Sequence, residues 1–498
     1  MDERTEPVLR YTFARDHGFA VKAVDESCAQ VVMREDANPL LLAEVRRALG
    51  LPLSIERLEK PAFDALLSDL HAVEGINSGI DEEMPSESLD SALEGMPAVA
   101  DLLASEDDAP VIRLINSLLA EAVKNKASDI HLEPFENRLS VRLRVDGVLN
   151  EVASLAARLA PYIVSRIKVM ARLDIAEKRI PQDGRLSLKL GERVFDVRVS
   201  TLPSRHGERV VLRLLDASQA HLTLTDLGMQ SQVLEKMHEL LAEPNGIILV
   251  TGPTGSGKTT TLYGGLALLN DQSRNIMTVE DPVEYALDGV SQTQVNPKVG
   301  MTFASGLRAI LRQDPDVVMV GEIRDMETAE MAIQASLTGH LVLSTVHTNS
   351  AVAAITRLRD MGVEPFLLAS TVKGILAQRL VRKLCSDCKV PVADDTLLRE
   401  QLGVSTAKLT SFYEPRGCQS CGGKGYSGRI GIYELVTVDG DIRRLIQEQA
   451  SEQDLEAIAF QNSKTLSASG RDLVLSGVTT VEEVMRVSKV KETNGAGV

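Results

Sequence analysis

The sequence predicts a multidomain α/β protein with a phosphate-loop domain, a preceding α+β domain, a small N-terminal α/β module and an inserted tetracysteine element. Three observations support this fold class. The chain has 498 residues, which is too long for one small module. Apolar strand segments alternate with helical segments in its second half, which is typical of a parallel sheet covered on both faces. Four of its five cysteines form two CxxC pairs.

The composition excludes several other classes. Apolar residues make up 44% and charged residues 25%, so a disordered or fibrous chain is excluded. No run approaches about 18 consecutive apolar residues, and the opening MDERTEPVLRYTF has acidic residues where a signal peptide is positive. We therefore expect neither a membrane span nor a secretion signal. The five cysteines are too few for a disulfide framework.

The net charge of −16 is concentrated in one segment. No basic residue lies between Lys60 and Arg113, whereas 13 acidic residues do. Such a run of like charge repels itself and stays extended, so we predict an acidic flexible linker over residues 73–108. The remaining chain is nearly balanced. The negative net charge argues against nucleic acid as a partner. Residues 1–72 before the linker show two short helical apolar patterns and no catalytic motif, and they predict a small α/β module.

The predicted α+β domain covers residues 109–225. An apolar stripe at helical spacing begins at Val111, and strand patterns follow in ASDIHL and SVRLRVDGVLNEV. Asp146-Gly147 supplies the positive φ angles that a two-residue hairpin turn requires. After a helix around residues 163–173, alternating segments RLSLKL, RVFDVRVS and ERVVLRLL predict three further strands.

The last predicted domain, residues 226–498, begins with a helix and a buried strand that ends in GPTGSGKT. This motif matches GxxxxGK[ST] in the required strand–loop–helix context, so we predict a phosphate-binding loop. Its backbone N–H groups converge on phosphate oxygens, Lys258 reaches the β- and γ-phosphates, and Thr259 ligates Mg²⁺. The predicted nucleotide-binding residues here are Gly252, Pro253, Thr254, Gly255, Ser256, Gly257, Lys258, Thr259 and Thr260.

Polar residues end three further strands of this domain. In a parallel sheet these ends meet at one edge, so they should face the same phosphates. We expect Glu322 to orient or deprotonate the attacking water, because a glycine precedes it where a metal-binding Asp is usual. Glu280 is the candidate carboxylate for the Mg²⁺ shell, with Asp281 and Glu284 as alternatives. Taken singly, a turn at Asp281, a helix cap at Glu322 and a core histidine at His347 remain alternatives.

Arginines are needed to offset charge on a transferring phosphoryl group. Arg198 and Arg213 lie on strands of the α+β domain, and Arg308 and Arg312 are one helical turn apart. From the residues alone, each is also compatible with an ordinary surface arginine.

Two CxxC pairs, Cys385/Cys388 and Cys418/Cys421, lie in a segment over residues 385–430 that also contains glycine-rich turns. Four thiolates with no open position predict a structural Zn²⁺ site. A thioredoxin-type redox pair is the alternative. Cys28 is left over, and we expect it to be buried. The segment after about residue 437 is helical by pattern.

These motifs together resemble the cytoplasmic ATPases of type II secretion, within the superfamily of secretion and pilus-assembly ATPases. The resemblance covers the chain from about Asp107 onward and rests on these segments: SEDDAPVIRLIN, ASDIHLEP, RLRVDG, DIAEKRIPQDGR, the phosphate loop, TVEDPVE, ILRQDPDVVMVGEIRD, TGHLVLSTVHTN and the tetracysteine element. It implies a RecA-like ATPase domain and a PAS-like α+β domain. It also implies that the four arginines approach nucleotide phosphates, that Glu322 is catalytic and that His340 and His347 lie near the site.

The resemblance further implies a hexameric ATPase in the cytoplasm, recruited peripherally to the inner membrane of a Gram-negative bacterium. ATP turnover would act through a platform membrane protein on pseudopilus assembly and protein export. Residues 1–72 would dock on the cytoplasmic part of an inner-membrane component. The pilus-extension ATPase is the alternative, and a DNA-handling motor is opposed by the acidic charge. A pilus-retraction motor is not expected, because such motors resemble a shorter chain that lacks the N-terminal module and the tetracysteine element.

Overall fold

The fold is described from a computed structural model. It describes residues 13–14, 17–24, 28–60, 62–63, 66, 109–190, 193–216, 222–393, 396–402 and 411–488. The predicted acidic linker, residues 73–108, lies outside the described residues. The chain forms two compact units that divide between Ala217 and Ser218. Leu224 packs into a core of the second unit, although the predicted α+β domain included it.

The N-terminal module contains a three-stranded sheet and a helix. β1 (Phe19–Val24) pairs antiparallel with β2 (Ala29–Arg34), which pairs parallel with β3 (Leu53–Leu58). The predicted helix pattern forms α1 (Leu42–Leu49), which ends at Gly50 in the left-handed conformation. Its buried side chains pack on the sheet. Cys28 is half-buried, which differs from the expected buried position.

The α+β region of the first unit has one six-stranded antiparallel sheet in the order β6-β5-β4-β9-β8-β7. Its elements in chain order are α2 (Ala109–Lys124), β4 (Ala127–Pro134), β5 (Arg138–Val145), β6 (Val148–Ala156), α3 (Ala160–Met170), β7 (Gln182–Leu190), β8 (Arg193–Ser204) and β9 (Gly207–Asp216). The predicted hairpin is confirmed, because Asp146 and Gly147 have φ angles of 50° and 85° between β5 and β6. Apolar residues of the helices and one sheet face form a single core.

The first half of the second unit alternates helices and strands as predicted. The elements are α4 (Ser231–Leu241), β10 (Gly246–Thr251), α5 (Lys258–Leu269), β11 (Ile276–Glu280), β12 (Val290–Gln294), α6 (Phe303–Ile310), β13 (Val317–Val320), α7 (Met326–Leu337), β14 (Leu341–Val346), α8 (Ala351–Asp360) and α9 (Pro365–Thr371). The second half contains β15 (Val372–Leu384), β16 (Lys389–Pro391), α10 (Thr396–Leu402), β17 (Tyr413–Pro415), β18 (Tyr426–Thr437), α11 (Gly440–Gln447), α12 (Glu452–Ala459), α13 (Leu466–Leu475) and α14 (Val481–Val487).

The central sheet has the order β12-β11-β13-β14-β10-β15-β18. The prediction of a parallel sheet is confirmed for six strands, and β18 at the edge pairs antiparallel with β15. Two separate apolar cores cover the two faces. Because the six strands run the same way, their carboxyl ends lie along one edge.

The two short strands β16 and β17 pair with each other in the cysteine-bearing insertion. The predicted helical C-terminal segment is confirmed by α11 to α14. Among the described residues, no helix has the length and apolar character needed to cross a lipid bilayer.

Candidate functional site

The phosphate loop connects β10 to α5 and has little room for side chains. Gly252, Gly255 and Gly257 have φ angles of 153°, 78° and 86°. A Cβ on Gly252 would lie 2.5 Å from the carbonyl oxygen of Gln378 and 2.6 Å from Ser256 Oγ, and one on Gly257 would lie 2.9 Å from Gln378 Nε2. The loop therefore requires glycine at both positions.

Two buried polar groups of this loop fit a phosphate ligand. The Lys258 side chain is only 9% exposed, and its Nζ donates to the carbonyl oxygens of Gly252 and Pro253 at 2.9 and 3.2 Å. Burial lowers the pKa of Lys258, although the Glu322 carboxylate opposes this shift. The hydroxyl of Ser256 is buried and has no hydrogen-bond partner in the described structure. Phosphate oxygens would satisfy both groups, so the residues present fit a nucleotide.

Thr259 and Thr260 occupy the first turn of α5 and are both half-buried. Their contacts with Mg²⁺ and phosphate stay predictions. Pro253, Thr254 and Gly255 are exposed at the tip of the loop.

Glu322, Arg324 and His347 meet where β13 and β14 end, next to the strand that carries the phosphate loop. The side chain of Glu322 is 14% exposed and forms an ion pair with Arg324. His347 Nε2 lies 3.3 Å from Glu322 Oε2. Burial, followed by the Lys258 ammonium, lowers the pKa of His347, so this imidazole is neutral at pH 7. The structure thus gathers three of the predicted residues, Lys258, Glu322 and His347.

Glu280 ends β11 at the same edge, but its carboxylate points into the protein. It accepts hydrogen bonds from the hydroxyl groups of Tyr263 and Thr278 and from Gln292 Nε2, the last two at 2.6 and 3.1 Å. Burial raises the pKa of Glu280 despite these donors. With both oxygens engaged, the carboxylate holds Tyr263 of α5 in place. The Mg²⁺ role of Glu280, and of Asp281 and Glu284, stays a prediction.

Three of the predicted arginines have partners within their own compact units. Arg308 Nη2 lies 3.0 Å from Glu327 Oε1, and Arg312 donates to the carbonyl oxygen of Arg308 at 2.9 Å. In the first unit, Arg213 Nε donates to Asp129 Oδ1 at 2.9 Å. Arg198 lies directly opposite Arg213 on the neighbouring strand. Two like charges that face each other on neighbouring strands are unfavourable unless an acid or an anion compensates them, and Asp129 is such an acid beside Arg213.

The expectation that His340 lies near the nucleotide is wrong for the site of the same chain. His340 comes directly before β14, and its carbonyl oxygen accepts from the N–H of Gly246, the first residue of β10. Both strands therefore begin beside His340, whereas the phosphate loop follows the end of β10. The start and the end of a parallel strand lie at opposite edges of the sheet. Its ring instead hydrogen-bonds to the carbonyl oxygen of Ala335.

The four predicted zinc ligands form one cluster. Their sulfur atoms lie within 4.8 Å of one another, with contacts of 3.9 Å for Cys385–Cys418, 3.8 Å for Cys388–Cys421 and 3.7 Å for Cys418–Cys421. A tetrahedral site with Zn–S bonds of about 2.3 Å separates sulfurs by about 3.8 Å, so the cluster fits zinc. All four are free cysteines, and backbone N–H groups lower the pKa of Cys421 to about 6, although burial opposes this.

The sequence reasoning missed Gln378 and Arg379 on β15, which lie against the phosphate loop. Their signal was weak, because they are a polar pair inside an apolar segment of that strand, GILAQRLV. Nothing in the sequence pairs that strand with β10.

Comparison with known proteins gives the family. A model described as type II/IV secretion system protein matches residues 104–486, and a second model, described as a domain of GSPII protein E, matches residues 8–71. The type II secretion system protein E of Pseudomonas aeruginosa is 55% identical over 97% of this chain and 96% of its own length. The type II secretion system ATPase E of Vibrio cholerae is 54% identical over 90% of both chains.

Solved structures agree with this assignment. The pilus retraction motor PilT with bound ADP is 29% identical, with a TM-score of 0.52 over 74% of this chain and 96% of its own. The Legionella pneumophila ATPase DotB shares the fold at 20% identity, with a TM-score of 0.56 over 75% of this chain and 94% of its own. These structures confirm the expected RecA-like fold class. The chain belongs to the type II/IV secretion system protein family, in the branch of the type II secretion system proteins E.

Proposed function

We propose that this chain is the cytoplasmic ATPase motor of a type II secretion system, which hydrolyses ATP to drive pseudopilus assembly and protein export across the outer membrane. The observation that carries the proposal is the sheet edge where the phosphate loop, Lys258, Glu322 and His347 meet. Relatives at 52–55% identity are named type II secretion system protein E, and one is named an ATPase. These names support type II secretion over the pilus-extension alternative.

The roles of the residues at this edge follow from their chemistry. Lys258 exchanges its two carbonyl acceptors for phosphate oxygens of ATP, and the loop N–H groups surround the same oxygens. Glu322 orients the attacking water, and neutral His347 holds one oxygen of that carboxylate by hydrogen bonding. Mg²⁺, when bound, neutralises phosphate charge, and Thr259 is the residue that would hold it. The bound ADP in the PilT structure supports a nucleotide at the equivalent loop.

The proposed motor works as a homo-oligomer, which we expect to be a hexamer. Arg308 is about half-exposed and forms an ion pair with the exposed Glu327, so a phosphate group of a bound nucleotide can compete for it. Arg198 and Arg213 lie in a different compact unit, and we propose that assembly brings them to nucleotide phosphates together with Arg312.

The N-terminal module is proposed to dock on the cytoplasmic domain of an inner-membrane secretion component. The match of residues 8–71 to a domain of GSPII protein E supports this role. Through this contact the motor would reach the membrane peripherally and act on a platform membrane protein. The tetracysteine cluster is proposed to hold one structural Zn²⁺. Nucleic acid is not an expected partner.

The proposal is tested by measuring phosphate release from ATP with and without Mg²⁺ over a series of protein concentrations. We expect Mg²⁺-dependent release that is slow in dilute protein, because arginines from another domain or subunit complete the site. Specific activity should fall on dilution. Constant activity per chain, at concentrations where size exclusion shows only monomer, would contradict a site completed by assembly.

The docking proposal has its own experiment. A truncation that begins near residue 100 should keep nucleotide binding and stay in solution. The full chain should sediment with membranes that contain the other secretion components. If the full chain sediments equally with component-free lipid vesicles, direct lipid binding replaces the protein partner.

A further inference from the structure

Two polar side chains lie behind the phosphate loop, in the middle of β15. Gln378 and Arg379 are 2% and 7% exposed, and their neighbours along the strand are apolar. β15 pairs with β10, the strand that leads into the loop. Burying a glutamine and an arginine is unfavourable unless their polar atoms have specific partners.

The side chain of Gln378 contacts α5. Its Oε1 accepts a hydrogen bond from Thr261 Oγ1 at 2.7 Å. Its Nε2 lies close enough to Gly257 that a Cβ there would approach it to 2.9 Å. Gln378 therefore fixes β15 against the start of the helix that receives phosphates.

The guanidinium of Arg379 lies between two loops of the site. Its Nη2 donates to the carbonyl oxygen and to Oδ1 of Asn349, at 2.9 and 3.3 Å. Its Nη1 donates to the carbonyl oxygen of Gln378 at 3.1 Å and would lie 3.2 Å from a Cβ on Gly252. Asn349 is two residues after His347, so the guanidinium hydrogen-bonds to the loop that carries His347 and packs closely beside Gly252 of the phosphate loop.

The guanidinium of Arg379 forms no ion pair within the described part of the chain. No described carboxylate lies within 4.0 Å of its guanidinium. The buried Glu434 sits on the adjacent strand opposite Ala377, diagonal to Arg379, and accepts instead from the N–H groups of Ala351 and Leu466. Lys258 is the second buried cation against the same loop. Burial lowers the pKa of both cations, although the charge of Glu322 opposes this shift for Lys258 and that of Glu434 opposes it for Arg379. A bound phosphate would compensate both charges further.

We propose that Arg379 is a positioning residue of the nucleotide site, which links the phosphate loop to the loop bearing His347 and adds positive charge behind the bound phosphates. This inference rests on the proposed ATPase function. The fork of the guanidinium spans both loops, which the single ammonium of a lysine cannot do. The positive charge of Arg379 should therefore contribute to nucleotide affinity. Its two-armed guanidinium should contribute to turnover, because it positions the loop that carries His347, which contacts Glu322.

The test compares MgADP affinity and MgATP turnover of the full-length chain with those of single variants. Arg379→Gln should raise the MgADP dissociation constant and lower kcat, each by about ten- to hundredfold, the usual range for losing a charged hydrogen-bonding group. Arg379→Lys should keep nearly wild-type MgADP affinity and lower kcat about tenfold, because charge stays and the fork is lost. Asn349→Ala should lower kcat without changing affinity.

Arg382→Gln is the matched control, because Arg382 lies on the same strand and its Nη2 contacts Glu483 of α14 at 2.7 Å. It should lower the melting temperature and leave MgADP affinity and kcat unchanged. If Arg379→Gln fails to fold, the split between affinity and kcat in Arg379→Lys and Asn349→Ala decides the question. Wild-type affinity and turnover in both Arg379 variants would overturn the inference. So would equal losses of affinity in Arg379→Gln and Arg382→Gln. Absence of MgADP binding by the wild type would instead overturn the proposed function.

Discussion

Two regions of the second unit form candidate ligand sites in different ways. One is the phosphate-loop edge, where the phosphate loop, Glu322 and His347 meet, and the other is the tetracysteine cluster. The first gathers residues 252–259, 322, 347 and 379 from four adjacent strands, and the sheet that holds them has its own apolar cores. The second takes four identical ligands from two short knuckles in a local insertion with a two-stranded sheet. A site built by a large sheet should survive the loss of its ligand, whereas a small insertion should depend on it.

Zinc removal should therefore have the largest structural effect of any single change. Cys385→Ser or Cys418→Ser should release about one Zn²⁺ per chain and make residues 385–430 sensitive to proteolysis, since a structural zinc site is local folding free energy. Cys28→Ser should retain the metal, because Cys28 lies in the other compact unit. MgADP affinity should stay at the wild-type value throughout. Purified wild-type protein with no zinc, or with disulfides among these cysteines, would refute the site.

Lys258→Ala should produce the reverse pattern. Removing the ammonium should weaken MgADP binding by about a hundredfold or more, because phosphate oxygens lose their nearest cation. Zinc content and protease resistance of the insertion should not change. The control is Lys298→Ala, which removes an exposed lysine elsewhere in the same unit. Calorimetric titration with MgADP gives the affinities, and near-normal binding by Lys258→Ala would be incompatible with the proposed site.

A smaller effect is expected at Glu483, which attaches α14 to β15. Its side chain is 2% exposed and accepts from the backbone N–H of Arg382 and from the side chains of Arg382 and Arg486. Although burial opposes it, these donors lower the pKa of Glu483 to about 2. The folded-state pKa lies below the unfolded one, so this stabilisation is full above about pH 4.5 and disappears as the pH falls toward about 2.

Glu483→Gln should accordingly cost roughly 3 kcal/mol of unfolding free energy at pH 7, as an upper value. The difference from wild type should shrink as the pH falls below about 4.5, because the wild-type carboxyl protonates too. Glu482→Gln, at the exposed neighbouring position, should behave like wild type. Denaturant unfolding at pH 7 and pH 3 measures both effects, and a difference that grows toward low pH would show the sign to be wrong.

The smallest effect is expected at Asp325, which begins α7 directly after the Glu322–Arg324 pair. Its carboxylate accepts from the N–H of Thr328 at 2.8 Å and caps the helix. Asp325→Ala should cost about 1 kcal/mol of stability, the usual value for losing an N-cap. Glu330→Ala on the exposed face of the same helix should cost less. A loss of stability in Asp325→Ala as large as that in Glu483→Gln would contradict the view that Asp325 acts only as a helix N-cap.

The sequence predicted those parts of the site that depend on local pattern or strand direction. The phosphate loop follows from eight consecutive residues, and the gathering of Glu322 and His347 follows from parallel strands whose carboxyl ends share an edge. The hairpin at Asp146-Gly147 follows from turn chemistry. Each of these required only neighbouring residues or one rule of sheet topology.

The features that the sequence did not predict depend on long-range pairing. His340 was placed at the site from a shared motif, yet a motif that spans a whole strand puts its two ends at opposite edges. The inward direction of Glu280 depends on Tyr263 and Gln292, which come from other elements. The position of Arg379 behind the phosphate loop depends on β15 lying beside β10, and strand order is not encoded in the pattern of one strand.

The most direct test of the central claim is a pair of measurements on Glu322→Gln. The substitution keeps the size of the side chain and removes the carboxylate beside His347, so binding should survive while water is no longer oriented. We predict wild-type MgATP affinity together with phosphate release lowered by about a hundredfold or more. Equal loss of MgATP affinity in Glu322→Gln and Lys258→Ala, or unchanged phosphate release in Glu322→Gln, would contradict the proposed catalytic edge.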